Sequence, residues 1–109
     1  MHRNSNQNDE PHHLYEIWDE QESEVFKYGI SSDPIEADGL SKRTREQVQD
    51  MNLAAGWLRY LARILLTGIL NRLLAKRIED EHMDAFEEKN GRLPRGNKRR
   101  NYKKEDGRA

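Results

Sequence analysis

The sequence predicts a small α+β domain in which a strand pair comes first and helices follow. Residues 14–18 (LYEIW) and 25–30 (VFKYGI) contain the aromatic and β-branched residues that strands favour, and a short polar stretch separates them. This arrangement predicts an antiparallel hairpin. Residues 40–53 and 71–89 contain helix-forming residues and are followed closely by glycine, which predicts two helices.

Each predicted helix begins beside a residue that can cap it. Ser41 is the predicted N-cap of the first helix and Asn71 that of the second, because their short polar side chains can accept a free backbone N–H. Asn90-Gly91 is a typical helix stop. Residues 31–39, which contain proline and glycine, are the predicted loop between the hairpin and the first helix.

The segment between the two helices is ambiguous on its pattern alone. Residues 61–69 (LARILLTGI) are mostly apolar, so they fit either a buried strand or part of one helix over residues 57–89. Such a helix would be unusually long, and the glycine in its interior would cost about 1 kcal/mol. The pattern leaves both structures open. The helical version predicts a non-enzymatic module that packs residues 52–89 against a partner.

Composition limits the size and class of the protein. The 109 residues are 34% hydrophobic and 36% charged, which is enough for one small domain with a thin core. The first 11 residues are polar, and we expect them to be disordered. The absence of cysteine excludes disulfides and cysteine-based zinc sites.

No membrane segment or secretory signal peptide is expected. The N-terminal residues lack an apolar run and a small-residue cleavage site. The most apolar region, 53–75, is interrupted by Arg59, Arg63 and Arg72, whereas a spanning helix needs about 20 mostly apolar residues. A cytoplasmic location is the corresponding expectation.

Charge is distributed very unevenly along the chain. Residues 1–40 carry ten acidic and two basic side chains, residues 41–88 carry eight of each, and residues 89–109 carry nine basic and two acidic side chains. The basic end suits a polyanionic partner, and it equally fits a solvated tail.

Five short motifs occur in an order that resembles the GIY-YIG nuclease family, of the URI type. They are HLY at 13–15, KYG at 27–29, LSKR at 40–43, AKRIE at 75–79 and PRGN at 94–97. The resemblance covers about residues 13–97. It implies a three-stranded antiparallel sheet flanked by helices, with a strand at 61–69. The implied organisation is an N-terminal segment at 1–11, a nuclease domain at 12–97 and a basic tail at 98–109.

The resemblance also implies roles for three residues in phosphodiester hydrolysis. Tyr15 would activate or position the attacking water. Arg43 would bind the scissile phosphate, since a guanidinium matches phosphate oxygens well. Glu79 would be the ligand of Mg²⁺ or Mn²⁺, because such ions need only one or two carboxylates when water and substrate supply the other ligands. A tyrosine that acts as a base would need a lowered pKa, for which Lys27 is a candidate cation.

Further site residues follow from the same motifs. Tyr28 and Asn97 are the other implied catalytic residues, and Asn97 would close the pocket. The expected substrate-binding residues are Lys27, Gly29, Arg45 and Lys98. The usual second tyrosine position holds lysine here. Strand alternation would therefore point Lys27 into the site and Tyr28 away from it, unless a bulge re-aims them. Arg45 competes with Arg43 for the phosphate.

The implied function is a metal-dependent endonuclease that resembles the nuclease tips of bacterial polymorphic toxins. The expected partners are nucleic acid, with DNA favoured over RNA, and a cognate immunity protein, but no membrane. A delivered effector would act in the cytoplasm of the target cell. The rival hypotheses are the helical interaction module and a nucleic-acid binder without catalysis.

Overall fold

The computed structural model describes residues 10–102 and contains one three-stranded antiparallel sheet and two helices. The elements in chain order are β1 (His12–Asp19), β2 (Glu24–Ser31), α1 (Lys42–Ala55), β3 (Tyr60–Ile69) and α2 (Arg72–Asn90). The strand order is β2-β1-β3, so the first strand of the hairpin is the central one. The predicted α+β fold is confirmed. Within residues 10–102, neither helix is long and apolar enough to cross a membrane.

β3 resolves the ambiguous segment in favour of a strand. It pairs with β1 along its length, from Asp19 opposite Tyr60 to His12 opposite Ile69. Gly68 has a φ of 67°, which a continuous right-handed helix does not contain. The hypothesis of a single long helix is therefore wrong. Pairing with β1 satisfies backbone groups of both strands, and this gain does not appear in the local pattern.

The predicted N-caps are confirmed, although α1 covers residues 42–55 where residues 40–53 were expected. Ser41 and Asn71 each accept a backbone N–H of the first helical turn, at 3.2 and 2.9 Å. Gly56 and Gly91 end the helices in the left-handed conformation, with φ of 83° and 78°. These local signals set the lengths of α1 and α2.

The two helices pack against alternate side chains of the central strand. Tyr15 and Ile17 belong to a cluster that includes Val48 and Met51 of α1. Leu14 belongs to a second cluster with Ala75 and Ile78 of α2. Neighbouring strand residues face opposite sides of a sheet, so β1 contributes to both clusters.

Two asparagine side chains bind the backbone of the edge strands. Asn52 accepts from Tyr60 N–H at 2.7 Å and donates to Tyr60 O at 3.0 Å. Asn97 does the same for Tyr28, at 2.8 and 3.0 Å. Each amide side chain thus imitates a short piece of an additional strand, and the second one holds the chain beyond α2 against β2.

The described part of the predicted basic tail contacts α2. Arg100 pairs with Asp84 and Glu87, and the backbone N–H of Tyr102 donates to Asp80 at 2.9 Å. We call residues 98–102 the C-terminal strap. The remainder of the predicted tail, 103–109, and nearly all of the N-terminal segment, 1–9, lie outside the described residues.

Candidate active site

A cleft of about 540 Å³ brings most of the predicted site residues together. It is lined by parts of β1, β2, α1 and α2 and by the segment that follows α2. The predicted residues on its wall are Tyr15, Lys27, Tyr28, Gly29, Arg43, Glu79, Asn97 and Lys98. Arg45 is the predicted site residue that lies outside it.

Gly29 allows the ring of Tyr15 to cross the neighbouring strand. The two residues are directly opposite in the β1–β2 ladder. A Cβ at Gly29 would lie 2.3 Å from Cζ of Tyr15 and 2.4 Å from its hydroxyl oxygen, far closer than van der Waals contact allows. The glycine therefore provides the space for the phenol at this point of the sheet.

Tyr15 is buried and its hydroxyl is held by a residue that the motifs do not include. The hydroxyl donates to Oε1 of Gln47, on α1, at 2.9 Å. Burial raises the pKa of Tyr15, although the charge of Arg43 opposes the rise. Tyr15 is therefore a neutral phenol at neutral pH, and Arg43 is the cation that acts on it most strongly, whereas the sequence suggested Lys27.

Lys27 and Tyr28 leave β2 in opposite directions. Lys27 is opposite Ile17 and Tyr28 is opposite Glu16, so Lys27 shares the face of Tyr15. The ring of Tyr28 borders the cleft but packs edge-on against His82, with 5.4 Å between centroids. Burial lowers the pKa of Lys27, and the carboxylate of Glu79 opposes that shift. The geometry matches the expected alternation and favours Lys27 as the residue that faces the cleft.

The two candidate arginines of α1 have different surroundings. Arg43 lines the cleft. Arg45 instead forms a bidentate pair with Asp38 at 2.8 Å and a further ion pair with Glu36 at 2.8 Å. Its guanidinium is already neutralised outside the cleft, so the structure does not support the expected contact of Arg45 with substrate.

Glu79 is a buried carboxylate on the wall of the cleft. Its side chain comes from the middle of α2, and the residue is 8% exposed. Burial raises its pKa, while a hydrogen bond from Asn101 and the charges of Lys27 and Arg72 act in the opposite direction. The Nδ2 of Asn101 donates to Oε1 of Glu79 at 2.6 Å. No hydrogen bond within residues 10–102 engages Oε2.

Asn97 contributes to the cleft through the backbone. Both ends of its amide are engaged by Tyr28, as described above. The preceding Gly96 donates its N–H to the carbonyl of Phe26 at 2.7 Å and lies close to the Phe26 ring. These contacts hold the segment against β2 and place Asn97 and Lys98 at the cleft.

Several cleft residues are absent from the motifs. Arg72 and Arg99 line the cleft, and Asn101 lines it while binding Glu79. Arg99 is part of a visibly basic run, but Arg72 and Asn101 carry no signal in the sequence. They reach the cleft only because α2 and the C-terminal strap pack beside β2.

The charges of the lining suit an anionic ligand. Five basic residues and two acidic residues line the cleft: Lys27, Arg43, Arg72, Lys98 and Arg99 against Asp33 and Glu79. A concave surface with this excess of positive charge attracts phosphate groups.

A divalent cation fits this donor set in one specific way. Within the described part of the chain, no group of three or more His, Cys, Asp or Glu residues could hold a metal ion. Mg²⁺ does not require such a group, because it commonly keeps several waters and uses one carboxylate together with substrate phosphates. Glu79, with one oxygen not engaged by the described residues, fits that mode.

Comparison with protein families identifies the chain's relatives. The family model described as URI fold toxin 2 (Tox-URI2) matches residues 5–91. The match includes all five elements of the fold and ends before Asn97 and the C-terminal strap. No curated protein and no solved structure matches the chain. Because the family model covers most of the chain and the motifs within it meet at one cleft, this protein is a member of the URI fold toxin 2 family.

Proposed function

We propose that this toxin domain is a metal-dependent endonuclease of the GIY-YIG type that hydrolyses phosphodiester bonds in nucleic acid. The observation that carries the proposal is the meeting of Glu79, Tyr15 and Arg43 at one basic cleft. The first and last of them, Tyr15 and Glu79, are 64 positions apart in the sequence. Each of the three matches a different motif of the family. Family membership supports a toxic activity, and the cleft supports an anionic substrate.

In this proposal, the cations of the cleft bind and polarise the scissile phosphate. Arg43 donates to the phosphate oxygens, and Lys27 adds positive charge from the neighbouring strand. Both stabilise the negative charge that develops in the transition state. Arg72, Lys98 and Arg99 hold adjacent phosphates of the backbone. Such contacts carry no sequence information, so we expect weak sequence preference.

Tyr15 orients the attacking water in this mechanism. Its proton is donated to Gln47, so the phenol oxygen acts as an acceptor toward the cleft, where Arg43 is a neighbouring donor and a second lone pair can take the water. The raised pKa of Tyr15 argues against its acting as a phenolate base in the unliganded site. We therefore assign it a positioning role, in which it accepts a hydrogen bond from the water.

Glu79 is the residue that would hold Mg²⁺ or Mn²⁺. When bound, the ion supplies positive charge for the phosphate oxygens and lowers the pKa of water. The protein's own contribution is a fixed carboxylate at the wall of a cleft that the substrate phosphate enters.

The experiment is cleavage of supercoiled plasmid and of total RNA, each with Mg²⁺ and with EDTA. Wild type is compared with Glu79→Gln and with the matched control Glu81→Gln, which changes an exposed glutamate of the same helix. We expect metal-dependent cleavage, with DNA as the preferred substrate, that Glu79→Gln loses and Glu81→Gln keeps. Cleavage that survives Glu79→Gln would contradict the assigned ligand. If neither substrate is cleaved but a gel shift with the same samples shows binding, the chain is a nucleic-acid binder without catalysis.

We also propose that this toxin domain binds a cognate immunity protein. Toxins of this kind are expected to pair with an immunity protein, and the acidic residues of 1–40 are compatible with a protein contact. Co-purification of the chain with the product of a neighbouring gene, together with loss of cleavage in that complex, would support the pairing. A stable complex that cleaves at the full rate would contradict it.

A further inference from the structure

The C-terminal strap is fastened to α2 at several points that do not involve Glu79. Arg100 pairs with Asp84 and Glu87. The backbone N–H of Tyr102 donates to Asp80, and Arg77 lies over the Tyr102 ring at 5.7 Å from its centroid. The strap is thus anchored on both sides of residue 101.

Asn101 uses this anchorage to hold the carboxylate of Glu79. Its backbone N–H donates to Oδ1 of Asp80 at 2.7 Å, which fixes its main chain. Its Nδ2 lies within hydrogen-bond distance of Oε1 of Glu79 at 2.6 Å, of Oδ1 of Asp80 at 2.9 Å and of the carbonyl of Lys76 at 3.1 Å. The side chain therefore ties one oxygen of Glu79 to the neighbouring carboxylate and to the helix backbone one turn earlier.

This contact distinguishes the two oxygens of the carboxylate. Oε1 is held by a short hydrogen bond, while no described residue donates to Oε2. A glutamate side chain has three rotatable bonds, and restraining one oxygen removes much of the entropy that ligand binding would otherwise cost. Partners of this kind orient the ligands of metal ions in proteins, and their loss typically weakens metal affinity about 10- to 100-fold.

We propose that Asn101 is a positioning residue, which orients Glu79 so that Oε2 is available to a divalent cation. The inference rests on the proposed function, in which Glu79 is the metal ligand. It assigns a role to the C-terminal strap, which lies beyond the residues matched by the family model.

The test is Mn²⁺ binding to the full chain without nucleic acid, measured by electron paramagnetic resonance of the free ion. We expect Asn101→Ala to weaken the affinity about 10- to 100-fold. The matched control is Arg100→Ala, which removes a neighbouring anchor of the strap without touching Glu79, and we expect it to change the affinity by less than about threefold. Asn101→Leu, which keeps the volume but removes the donor, should match Asn101→Ala and covers the case in which the alanine variant unfolds.

Cleavage at increasing Mn²⁺ separates positioning from catalysis. Asn101→Ala should need more metal for half-maximal rate, while kcat at saturating metal should stay within about threefold of wild type, because the ligand itself is intact. Wild-type Mn²⁺ affinity in Asn101→Ala and Asn101→Leu would overturn the inference, as would an equal loss in Arg100→Ala.

Glu79→Gln distinguishes this failure from failure of the proposed function. If Glu79→Gln binds Mn²⁺ as well as wild type does, Glu79 is not the ligand and the proposed function fails, and the positioning role fails with it. If Glu79→Gln loses binding while both Asn101 variants keep it, the positioning role alone is wrong.

Discussion

Two buried carboxylates in this small domain have opposite surroundings. Asp19, at the end of β1, accepts from both Arg59 and Arg95 at 2.8–2.9 Å and from two backbone N–H groups of the hairpin turn. Among the residues that the structure describes, Glu79 accepts one hydrogen bond, from Asn101, and it borders the cleft. The hydrogen bonds of Arg59 hold the pKa of Asp19 at about 2, whereas burial raises the pKa of Glu79.

Asp19 is a structural carboxylate, whereas Glu79 is a candidate functional one. Asp19 joins the hairpin turn, the start of β3 and the segment after α2, and its acceptor sites are filled by protein donors. Glu79 is also buried, at 8% exposure against 0% for Asp19, and lacks that compensation among the described residues. A buried charge that is incompletely satisfied costs stability, which is a cost typical of sites that bind or react.

The largest expected effect comes from Glu79→Gln. A metal ion is worth several kcal/mol of transition-state stabilisation, so we expect cleavage to fall on the order of 1000-fold. The melting temperature should stay the same or rise, because the raised pKa means that the ionised form is disfavoured in the folded state. Plasmid cleavage and thermal unfolding on the same samples test both parts. A large loss of stability would show that Glu79 is structural, as Asp19 is.

Gly29→Ala should disrupt the cleft at Tyr15 without changing any charged residue. The new Cβ would overlap the Tyr15 ring, so either the strand or the phenol must move. We expect a loss of about 1–3 kcal/mol in unfolding free energy. The misplacement of Tyr15 should lower cleavage about 100-fold. In the double variant with Tyr15→Ala the overlap is gone. The loss of unfolding free energy in the double variant should therefore be smaller than the sum of the losses in the two single variants. Additive losses would contradict steric overlap as the cause.

Asp19→Asn should have the opposite profile to Glu79→Gln. Removal of one partner from a buried ion pair costs about 3–5 kcal/mol, and we expect about 2–3 here because Arg59 and Arg95 keep part of their surface in water. Urea unfolding measures the loss. Cleavage per folded molecule, assayed well below the melting temperature, should stay within about threefold of wild type. A larger loss of cleavage would connect Asp19 to the site.

Acid should remove the contribution of Asp19 to the unfolding free energy as pH falls from about 4 toward 2. The pKa is about 2 in the folded state against 3.8 ordinarily, so its stabilising contribution is complete above about pH 4 and is lost as pH falls toward 2. The difference in unfolding free energy between wild type and Asp19→Asn should therefore shrink from pH 5 to pH 3. Asp38, whose pKa is also lowered to about 2, is present in both proteins, so its contribution to the pH dependence cancels in this difference. A difference that is independent of pH would mean that packing, not charge, is lost in the variant.

The smallest effect is expected for Arg45→Ala. Arg45 and Arg43 differ as Asp19 and Glu79 do, because one is paired within the protein and the other lines the cleft. Arg45 is neutralised by Asp38 and Glu36 at the surface, so we expect cleavage and phosphate binding to change by less than about twofold. Arg43→Ala, which changes the cleft-lining arginine two residues away, should lower cleavage about 100-fold or more. Salt titration of nucleic-acid binding by both variants measures the difference. Equal losses of cleavage and binding in the two variants would show that Arg45 also contacts the substrate.

Local sequence signals predicted the hairpin and both helices with their caps, because these depend on residues a few positions apart. Ser41, Asn71 and Gly91 have the expected conformations. The third strand was ambiguous on pattern alone and became predictable through the order of the family motifs. The motifs left Arg43 and Arg45 as competitors, because their surroundings differ through the position of Asp38 in the loop before α1.

The sequence by itself determined the α+β class, the ends of the helices and the residue types available for phosphate chemistry. Only the tertiary structure decided which of those residues meet. Gln47 behind Tyr15, Asn101 on Glu79 and Arg72 beside the cleft are brought there by packing between elements that are distant in the chain. Propensities and caps act over one helical turn or one hairpin, whereas burial and long-range hydrogen bonds determine the orientation and ionisation of a buried side chain.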